Sequence, residues 1–273
     1  MPNKSELTVY VHIPKTAGTT LISLLKHHYS REQTYKIMMR GMSLIAPKYR
    51  FLPKPLISFS KLRRLKFAIG HQQKLRMIHG HFDMSLGKLM PAAASFITIL
   101  RDPIDRAVSH HNHYRRLTSD PIHPLAMQSS LEEWVSSCRL VEMDNGQTRR
   151  LAGEMDLPIG KVSSRTLDTA KANLIRFAVV GLTERFEETQ ILLHQKFNWP
   201  YCRYPSRNVN PTRPKKVELD QTVLSRIKTA NQFDIELYQF ATELFNRSAT
   251  SIDMDRELAL FRNAPEHDGL TAA

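Results

Sequence analysis

Short, mainly apolar runs alternate with amphipathic stretches along the chain. The runs are rich in β-branched and aromatic residues, as is typical of buried strands, and they cover residues 7–13, 77–81, 95–100 and 176–182. The stretches between them carry apolar residues at helical spacing, and they cover residues 19–28, 103–116, 130–140, 183–197 and 220–247. Strands that alternate with helices predict an α/β fold, a P-loop-like domain with a central parallel sheet flanked by helices.

Two of the predicted helices have recognisable first residues. Asp102 can accept hydrogen bonds from the first free N–H groups of a helix, and Pro103 suits the first helical position. Ser130 and Glu133 have the spacing of a capping box, in which each side chain caps the other's backbone N–H group. These pairs fix where the helices at 103–116 and 130–140 are expected to begin.

The chain shows no internal repeat, low-complexity tract or clear linker. We therefore expect one domain over residues 1–273. A basic, proline-containing insertion is predicted at about 31–76, irregular except for a helix near 59–68. The last residues, about 248–273, are predicted to fray into a polar tail.

The composition is that of a globular protein. Hydrophobic residues make up 41% and charged residues 24%, which excludes disordered, collagen-like and coiled-coil chains. No run approaches the ~18 uncharged apolar residues of a membrane span, and the polar first residues lack the apolar core of a secretory signal. Cys138 and Cys202 stand in no metal-binding spacing, which is typical of free thiols in a reducing compartment. A soluble, cytoplasmic protein is expected.

Positive charge is concentrated in one part of the chain. The net charge is +13, and residues 31–76 hold twelve lysines and arginines against a single acid, Glu32. Such a field attracts anions: nucleic acid, a phospholipid surface, a nucleotide or an acidic glycan. A solvated surface with no ligand explains the same charge.

The first chemical motif is the turn Pro-Lys-Thr-Ala-Gly-Thr-Thr between a strand and a helix, at residues 14–20. Backbone N–H groups at a helix start favour an anion, and Lys15 adds a mobile charge. The P-loop pattern has its lysine after the second glycine, whereas Lys15 precedes Gly18 and no glycine stands at the strand exit. A magnesium-dependent kinase is therefore disfavoured but stays open, as does a plain turn capped by a threonine.

A second motif is the histidine pair His79-Gly80-His81. In an extended segment both imidazoles face the same side and can enter one cleft, where Gly80 leaves room for an acceptor. Such a pair is also a metal-ligand pattern, although only Asp83 could complete a local ligand set. Most histidines are simply packed or surface residues, and this reading stays open too.

Residues 12–20, His-Ile-Pro-Lys-Thr-Ala-Gly-Thr-Thr, resemble the phosphosulfate-binding loop of the carbohydrate sulfotransferases. They most resemble the heparan/uronyl 2-O-sulfotransferase-like branch and its bacterial relatives. These enzymes use 3′-phosphoadenosine 5′-phosphosulfate (PAPS) as co-substrate. The resemblance implies that the 5′-phosphosulfate is held by Lys15, Thr16, Ala17, Gly18, Thr19 and Thr20.

The same family has a second element, a buried strand that ends in arginine and a helix with serine eight residues later. Residues 97–109, Ile-Thr-Ile-Leu-Arg-Asp-Pro-Ile-Asp-Arg-Ala-Val-Ser, match it in order and spacing. The resemblance implies that Arg101 and Ser109 bind the 3′-phosphate, which an arginine fork can grip with two hydrogen bonds. Arg106 is expected to support the site or a neighbouring carboxylate.

The 2-O-sulfotransferase-like branch carries an HGH-type pair between these two elements. By this resemblance His81, and His79 as second choice, is the general base for in-line sulfuryl transfer, because histidine titrates near neutral pH. Lys15 and the helix N-terminus would meet the charge that develops on the leaving phosphate. No metal is expected.

Three further features leave alternatives open. Residues 145–153 resemble a segment near the nucleotide or acceptor, but their arginines could be surface charge. His110 and His113 share a helix face, which a metal could use, although a solvated helix is the plainer interpretation. Residues 208–216 resemble the family's late loop beside the 3′-phosphate, with Lys215 as candidate.

The motifs together predict a sulfotransferase whose acceptor is a hydroxyl of a carbohydrate or another alcohol. The basic insertion at 31–76 could line the acceptor groove and attract an anionic glycan. The membrane anchor of the Golgi enzymes is absent, which favours a soluble, bacterial-type member. A nucleotide-dependent kinase and a non-enzymatic polyanion-binding protein are the alternatives. We expect no nucleic-acid partner, and peripheral membrane contact stays open.

Overall fold

One parallel sheet forms the centre of the molecule. The computed structural model describes residues 7–38, 69, 74–136, 140–203 and 219–266. Within them the strands are β1 (Thr8–Val11), β2 (Thr34–Met38), β3 (Met77–His81), β4 (Ser95–Leu100) and β5 (Val179–Leu182). All neighbours pair in parallel in the order β2-β3-β1-β4-β5. The predicted α/β class with helices around a parallel sheet is confirmed.

Ten α-helices lie in the described ranges. They are α1 (Gly18–His28), α2 (Pro103–Arg116), α3 (His123–Gln128), α4 (Leu131–Ser136), α5 (Gly146–Ala152), α6 (Ser164–Ile175), α7 (Phe186–Phe197), α8 (Gln221–Ala230), α9 (Gln232–Thr250) and α10 (Met254–Arg262). Short 3₁₀ turns cover Arg31–Gln33, Met84–Leu89, Val141–Met143 and Thr183–Arg185. None of the described helices is long and apolar enough to cross a membrane.

The sheet is buried on both faces. Every residue of β1 is buried, and Leu21, Leu24 and Leu25 of α1 pack in the same apolar core. Burial of one such aliphatic side chain stabilises the fold by about 1.5–3 kcal/mol. The unbroken apolar runs of the strands, rather than an alternating pattern, therefore reflect helices on both sides of the sheet.

The strand order creates a crevice at one edge of the sheet. The chain leaves β1 through α1 towards β2 on one side, and leaves β4 towards β5 on the other. Ligands of open α/β sheets bind at such a switch point, outside the carboxyl ends of the strands. Lys15 and Arg101 lie in the segments that follow β1 and β4, and His81 is the last residue of β3, so the three motifs meet at this edge.

The predicted helix starts are confirmed. The side chain of Asp102 accepts from the backbone N–H groups of Ile104 and Asp105, at 2.9 and 3.1 Å, and α2 spans the predicted residues. Ser130 and Glu133 form the capping box, with distances of 2.8 and 3.1 Å between N and O atoms.

The C-terminal region is more ordered than predicted. The single helix expected at 220–247 is wrong: α8 and α9 are separated at Asn231. The polar tail expected from about 248 is also wrong up to 266, because α9 runs to Thr250 and α10 follows. Phe261 anchors α10, buried with its ring centroid 5.8 Å from that of Tyr201.

Several elements were absent from the sequence prediction, including α3 and α5. Residues 34–38, placed in an irregular insertion, form the edge strand β2, and residues 164–175 form α6. Neither has a long apolar run. The helix predicted near 59–68 lies outside the described residues, as does the rest of the insertion except 31–38, 69 and 74–76.

Candidate active site

The turn after β1 has an unusual backbone at the start of α1. Lys15 and Ala17 have left-handed backbones, with φ of 70° and 60°. Ala17 is the N-cap residue, and no side chain caps α1. The alternative of a threonine-capped turn is therefore wrong. The first N–H groups of a helix have no partner within the helix, so this terminus can receive an anion.

The three threonines of the turn differ in their surroundings. Thr16 is fully buried, and its hydroxyl donates to the carbonyl oxygen of Ile13 at 2.9 Å. Thr20 is also buried, whereas Thr19 is exposed. The Thr16 hydroxyl proton thus holds the turn together, and the predicted binding of phosphosulfate by Thr16 rests on its backbone.

His12, which the sequence analysis did not single out, fills the space beside Gly18. A Cβ atom on Gly18 would lie 1.8 Å from Nε2 of His12. The His12 ring stacks on that of His81, with centroids 4.1 Å apart and planes 29° from parallel. The glycine therefore lets the helix start approach a stacked pair of imidazoles.

The tautomer of His81 follows from its hydrogen bond. Its Nδ1 lies 3.1 Å from the carbonyl oxygen of His12. A carbonyl can only accept, so Nδ1 carries the proton and Nε2 carries the lone pair. Burial, and after it the charge of Arg150, lower the pKa of His81 to about 4, so the imidazole is neutral at neutral pH.

His79 lies on the same face of β3, deeper in the sheet. Only 3% of it is exposed, and burial, with Lys36 and Lys26 nearby, lowers its pKa to about 4. Gly80 has a φ of 150°, and a Cβ there would lie 1.9 Å from the carbonyl oxygen of Ile37 on β2. The expectation that Gly80 makes room for an acceptor is corrected: it makes room for the neighbouring strand.

Arg101 is fixed at the end of β4 by its backbone and its side chain. Its Nη1 donates to the carbonyl oxygen of Lys15 at 3.1 Å, which joins the loops after β4 and β1. The side chain of Gln147, fully buried on α5, accepts from the Arg101 N–H at 3.0 Å and donates to its carbonyl at 2.9 Å. Ser109 lies on α2, half-buried. Gln147 was missed because a buried glutamine has no distinctive sequence pattern.

Behind these loops lies a buried cluster of charges. The carboxylate of Glu142 sits between Arg106, at 3.1 Å from Nη1, and Arg150. Asp234 lies 3.7 Å from Nη2 of Arg106. Burial raises the pKa of Glu142, but the two arginines outweigh it and bring the pKa to about 2. The prediction that Arg106 supports a neighbouring carboxylate is confirmed.

The arginines of segment 145–153 are buried, so the interpretation that they are surface charge is wrong. Arg150 is 1% exposed and pairs with Glu142. Arg149 is fully buried, pairs with Asp144, and donates to the carbonyl oxygens of Leu157 and Pro158.

Helices α5 and α9 cap each other. Asp234 accepts from the N–H groups of Gln147 and Thr148 at 3.1 and 2.7 Å. In return, Oδ1 of Asn145 accepts from the N–H groups of Phe233 and Asp234 at 2.9 and 3.1 Å. This exchange fixes the helix that carries Gln147 and Arg150.

The remaining candidates have these outcomes. His110 is buried, and Nε1 of Trp134 donates to its Nδ1 at 3.3 Å, so the interpretation as a solvated helix face is wrong. Asp83 caps Ser85, and the described residues contain no group of three metal-ligating side chains. Cys202 is buried and forms no disulfide with a described residue. Cys138 and Lys215 lie outside the described residues.

Comparison with known proteins gives a consistent result. The family model described as Galactose-3-O-sulfotransferase matches residues 2–267. Human heparan-sulfate 6-O-sulfotransferase 1 is 33% identical over 185 residues, covering 58% of this chain and 44% of the relative. Mouse heparan-sulfate 6-O-sulfotransferase 2 is 32% identical over 283 aligned residues, covering 88% of this chain and 44% of the relative.

Among solved structures, mouse sulfotransferase SULT7A1 complexed with PAP covers 96% of this chain and 91% of its own, at 14% identity and a TM-score of 0.40. The chain spans 44% of the length of both curated relatives above. The predicted resemblance to carbohydrate sulfotransferases is confirmed, while placement in the 2-O branch and the bacterial type stay predictions. Since the family model matches almost the whole sequence, this chain belongs to the galactose-3-O-sulfotransferase family.

Proposed function

We propose that the protein is a PAPS-dependent O-sulfotransferase that transfers a sulfuryl group to a hydroxyl of a carbohydrate or another alcohol. One observation carries the proposal. The uncapped N-terminus of α1, the guanidinium of Arg101 and the neutral His81 lie together at the carboxyl edge of β1, β4 and β3. Family membership supports the same activity.

The residues present fit a donor with two anionic groups. The N–H groups at the start of α1, with Lys15, form one cationic site, suited to the 5′-phosphosulfate. Arg101, with Ser109 on the following helix, forms the other, suited to the 3′-phosphate. The bond from Arg101 to the carbonyl of Lys15 brings both into one crevice. When bound, PAPS supplies the activated sulfuryl group.

His81 is the general base in this proposal. Its Nδ1–H donates to the carbonyl of His12, which leaves the Nε2 lone pair to take the proton of the acceptor hydroxyl as the new bond forms. A positioned base of this kind contributes about 10²–10⁴-fold to the rate. His79 is the second choice, since its ring lies deeper in the sheet.

Lys15 and the start of α1 stabilise the negative charge that grows on the leaving phosphate. The left-handed backbone at Lys15 and Ala17 fixes the course of the loop before any sulfuryl acceptor binds. Removal of one donor that is aimed at developing charge costs about 3–4 kcal/mol of barrier.

An anionic glycan is the acceptor class that the charge distribution favours. Of the basic insertion, the exposed Lys36 stands on β2 near His79, and Lys26 on α1 approaches the same ring. Attraction of this kind weakens with salt, so the acceptor KM should rise with ionic strength.

Measurements of nucleotide binding and of turnover distinguish the residues proposed to bind the donor from the proposed base. We expect Lys15→Ala and Arg101→Ala to lose binding of adenosine 3′,5′-bisphosphate in isothermal calorimetry, and His81→Ala to keep binding but lose turnover of PAPS. Lys228→Ala, an exposed lysine on α8, is the control. Stabilisation by ATP with Mg²⁺, or by an oligonucleotide, in place of the bisphosphate would contradict the proposal.

A further inference from the structure

Arg150 is a buried cation that the proposed reaction does not use directly. It lies on α5 with 1% of its surface exposed. Its Nη1 donates to the carbonyl oxygen of Phe82 at 3.2 Å, and its Nη2 pairs with Glu142. Phe82 directly follows His81, so Arg150 holds the carbonyl of the Phe82–Asp83 peptide, one peptide beyond the proposed base.

The guanidinium has little freedom to move. One carboxylate oxygen of Glu142 pairs with Arg150, and the other lies 3.1 Å from Nη1 of Arg106. Asp234 caps the start of α5. The positive charge therefore stands at a fixed place relative to β3.

Several charged or titratable groups act on the His81 ring. They are His12 directly after β1, Lys36 on β2, His79 on β3, Arg150 on α5 and Glu142 in the 3₁₀ turn Val141–Met143. Burial makes the largest contribution to the low pKa of His81, and Arg150 makes the next; Glu142 and the bond to His12 oppose them.

We propose that Arg150 is a positioning residue for His81: its guanidinium, held by Glu142, fixes the carbonyl of Phe82, the residue after the histidine, and keeps a positive charge beside the ring. The imidazole then stays neutral, and its Nε2 is ready to accept a proton. This inference rests on the proposed function, in which His81 is the base.

The first test is the pH dependence of turnover. In the wild type the neutral form of His81 persists well below neutral pH, so kcat should change little between about pH 7.5 and 5.5. Arg150→Met removes the positive charge, so the pKa of His81 should rise towards its ordinary value. Burial, the largest cause of the low pKa, remains in this variant, so the return is partial and kcat should fall with decreasing pH by less than about tenfold over this range. Arg150→Lys, which keeps the charge, should restore the flat profile.

The matched control is Arg149→Met. Arg149 is the neighbour of Arg150 on α5 and is as deeply buried, but it pairs with Asp144 and contacts the carbonyls of Leu157 and Pro158. Its loss should lower stability without a shift of the pH profile. If Arg150→Met does not fold, the double variant Arg150→Met/Glu142→Gln leaves no unpaired carboxylate and removes the same cation.

The second test needs no turnover. Titration of the His81 ring by NMR of ¹³C-histidine-labelled protein, assigned with His81→Asn, should show a higher pKa in Arg150→Met and in the double variant than in wild type. An unchanged pKa, or an equal shift in Arg149→Met, would overturn the inference. Full turnover in His81→Ala would instead remove the proposed function and leave the NMR result standing.

Discussion

At the scale of single residues, the contact between Gly18 and His12 decides the geometry of the site. The His12 ring occupies the place that any side chain at position 18 would need, and it stacks between Tyr10 and His81. Its carbonyl also fixes the tautomer of His81. A change at Gly18 therefore acts on the proposed base without touching it.

We predict that Gly18→Ala lowers kcat by about tenfold or more, because the loss of one well-placed catalytic contact has this magnitude. The new Cβ displaces the His12 ring, which stacks on the His81 ring and so helps to hold it in place. Steady-state kinetics with PAPS and an anionic oligosaccharide would measure the change.

Ala17→Gly is the matched control for this variant. Ala17 has a left-handed backbone, which costs a residue with a Cβ about 1 kcal/mol. Glycine at this position should keep activity and leave stability equal or higher. Unaltered kcat in Gly18→Ala would show that the stacked pair is irrelevant to turnover.

The residue types with a local signature could be predicted from the sequence. Lys15 and Arg101 lie in the segments after β1 and β4, and His81 is the last residue of β3, so strand ends and motif spacing locate them at one edge of the sheet. Gln147 and Glu142 could not be predicted, because they act through partners 46 and 36 positions away in the chain, Arg101 and Arg106. No local pattern encodes such pairs.

At the scale of elements, α5 links the two halves of the proposed site. Gln147 at its start holds Arg101, and Arg150 one turn later holds the carbonyl of Phe82, the residue after His81. The helix has little apolar surface of its own, and its buried polar residues make hydrogen bonds and ion pairs. Apolar periodicity predicted α1, and the Asp102–Pro103 start predicted α2, but neither signal marks α5.

We predict that Asn145→Ala lowers the free energy of unfolding by about 1–2 kcal/mol and reduces turnover. It removes the cap of α9 and puts alanine in a left-handed backbone, and a lost cap costs about 1 kcal/mol. Urea unfolding followed by circular dichroism measures the stability.

Asp253→Ala is the control for this element. Asp253 caps α10 in an exposed position, with its carboxylate 3.2 Å from the N–H of Arg256. It should cost about 1 kcal/mol or less and leave turnover unchanged. Equal losses of activity in both variants would contradict a special contribution of α5.

At the scale of the whole molecule, the fold keeps several imidazoles neutral inside a chain of high positive charge. Burial lowers the pKa of His110 and of His28 to about 3. The single domain over 1–273 and the cytoplasmic location stay predictions.

We predict that the protein loses stability as the pH falls below about 6.5, the ordinary pKa of histidine. Below this pH the histidines of the unfolded chain bind protons, whereas His110 and His28 of the folded chain stay neutral until the pH approaches 3. The free energy of unfolding therefore decreases as the pH falls from about 6.5 to about 3, and these groups do not change it above pH 6.5. Urea midpoints at several pH values would show the slope.

His28→Phe tests the assignment of that slope. The His28 ring stacks on Trp199 with centroids 4.0 Å apart, and phenylalanine preserves this contact while removing one titrating group. The slope below neutral pH should become shallower. A slope that does not change would mean that other groups govern acid unfolding.

The mutual capping of α5 and α9 also bears on the order of events during synthesis on the ribosome. Asp234 emerges almost ninety residues after the helix that it completes. A nascent chain in which the first three strands have been synthesised still lacks the carboxylate of Asp234. This carboxylate accepts hydrogen bonds at the start of the helix that carries Gln147 and Arg150. The proposed site is therefore completed late in translation, and a prematurely terminated product that ends before α9 contains the five described strands but lacks the carboxylate of Asp234.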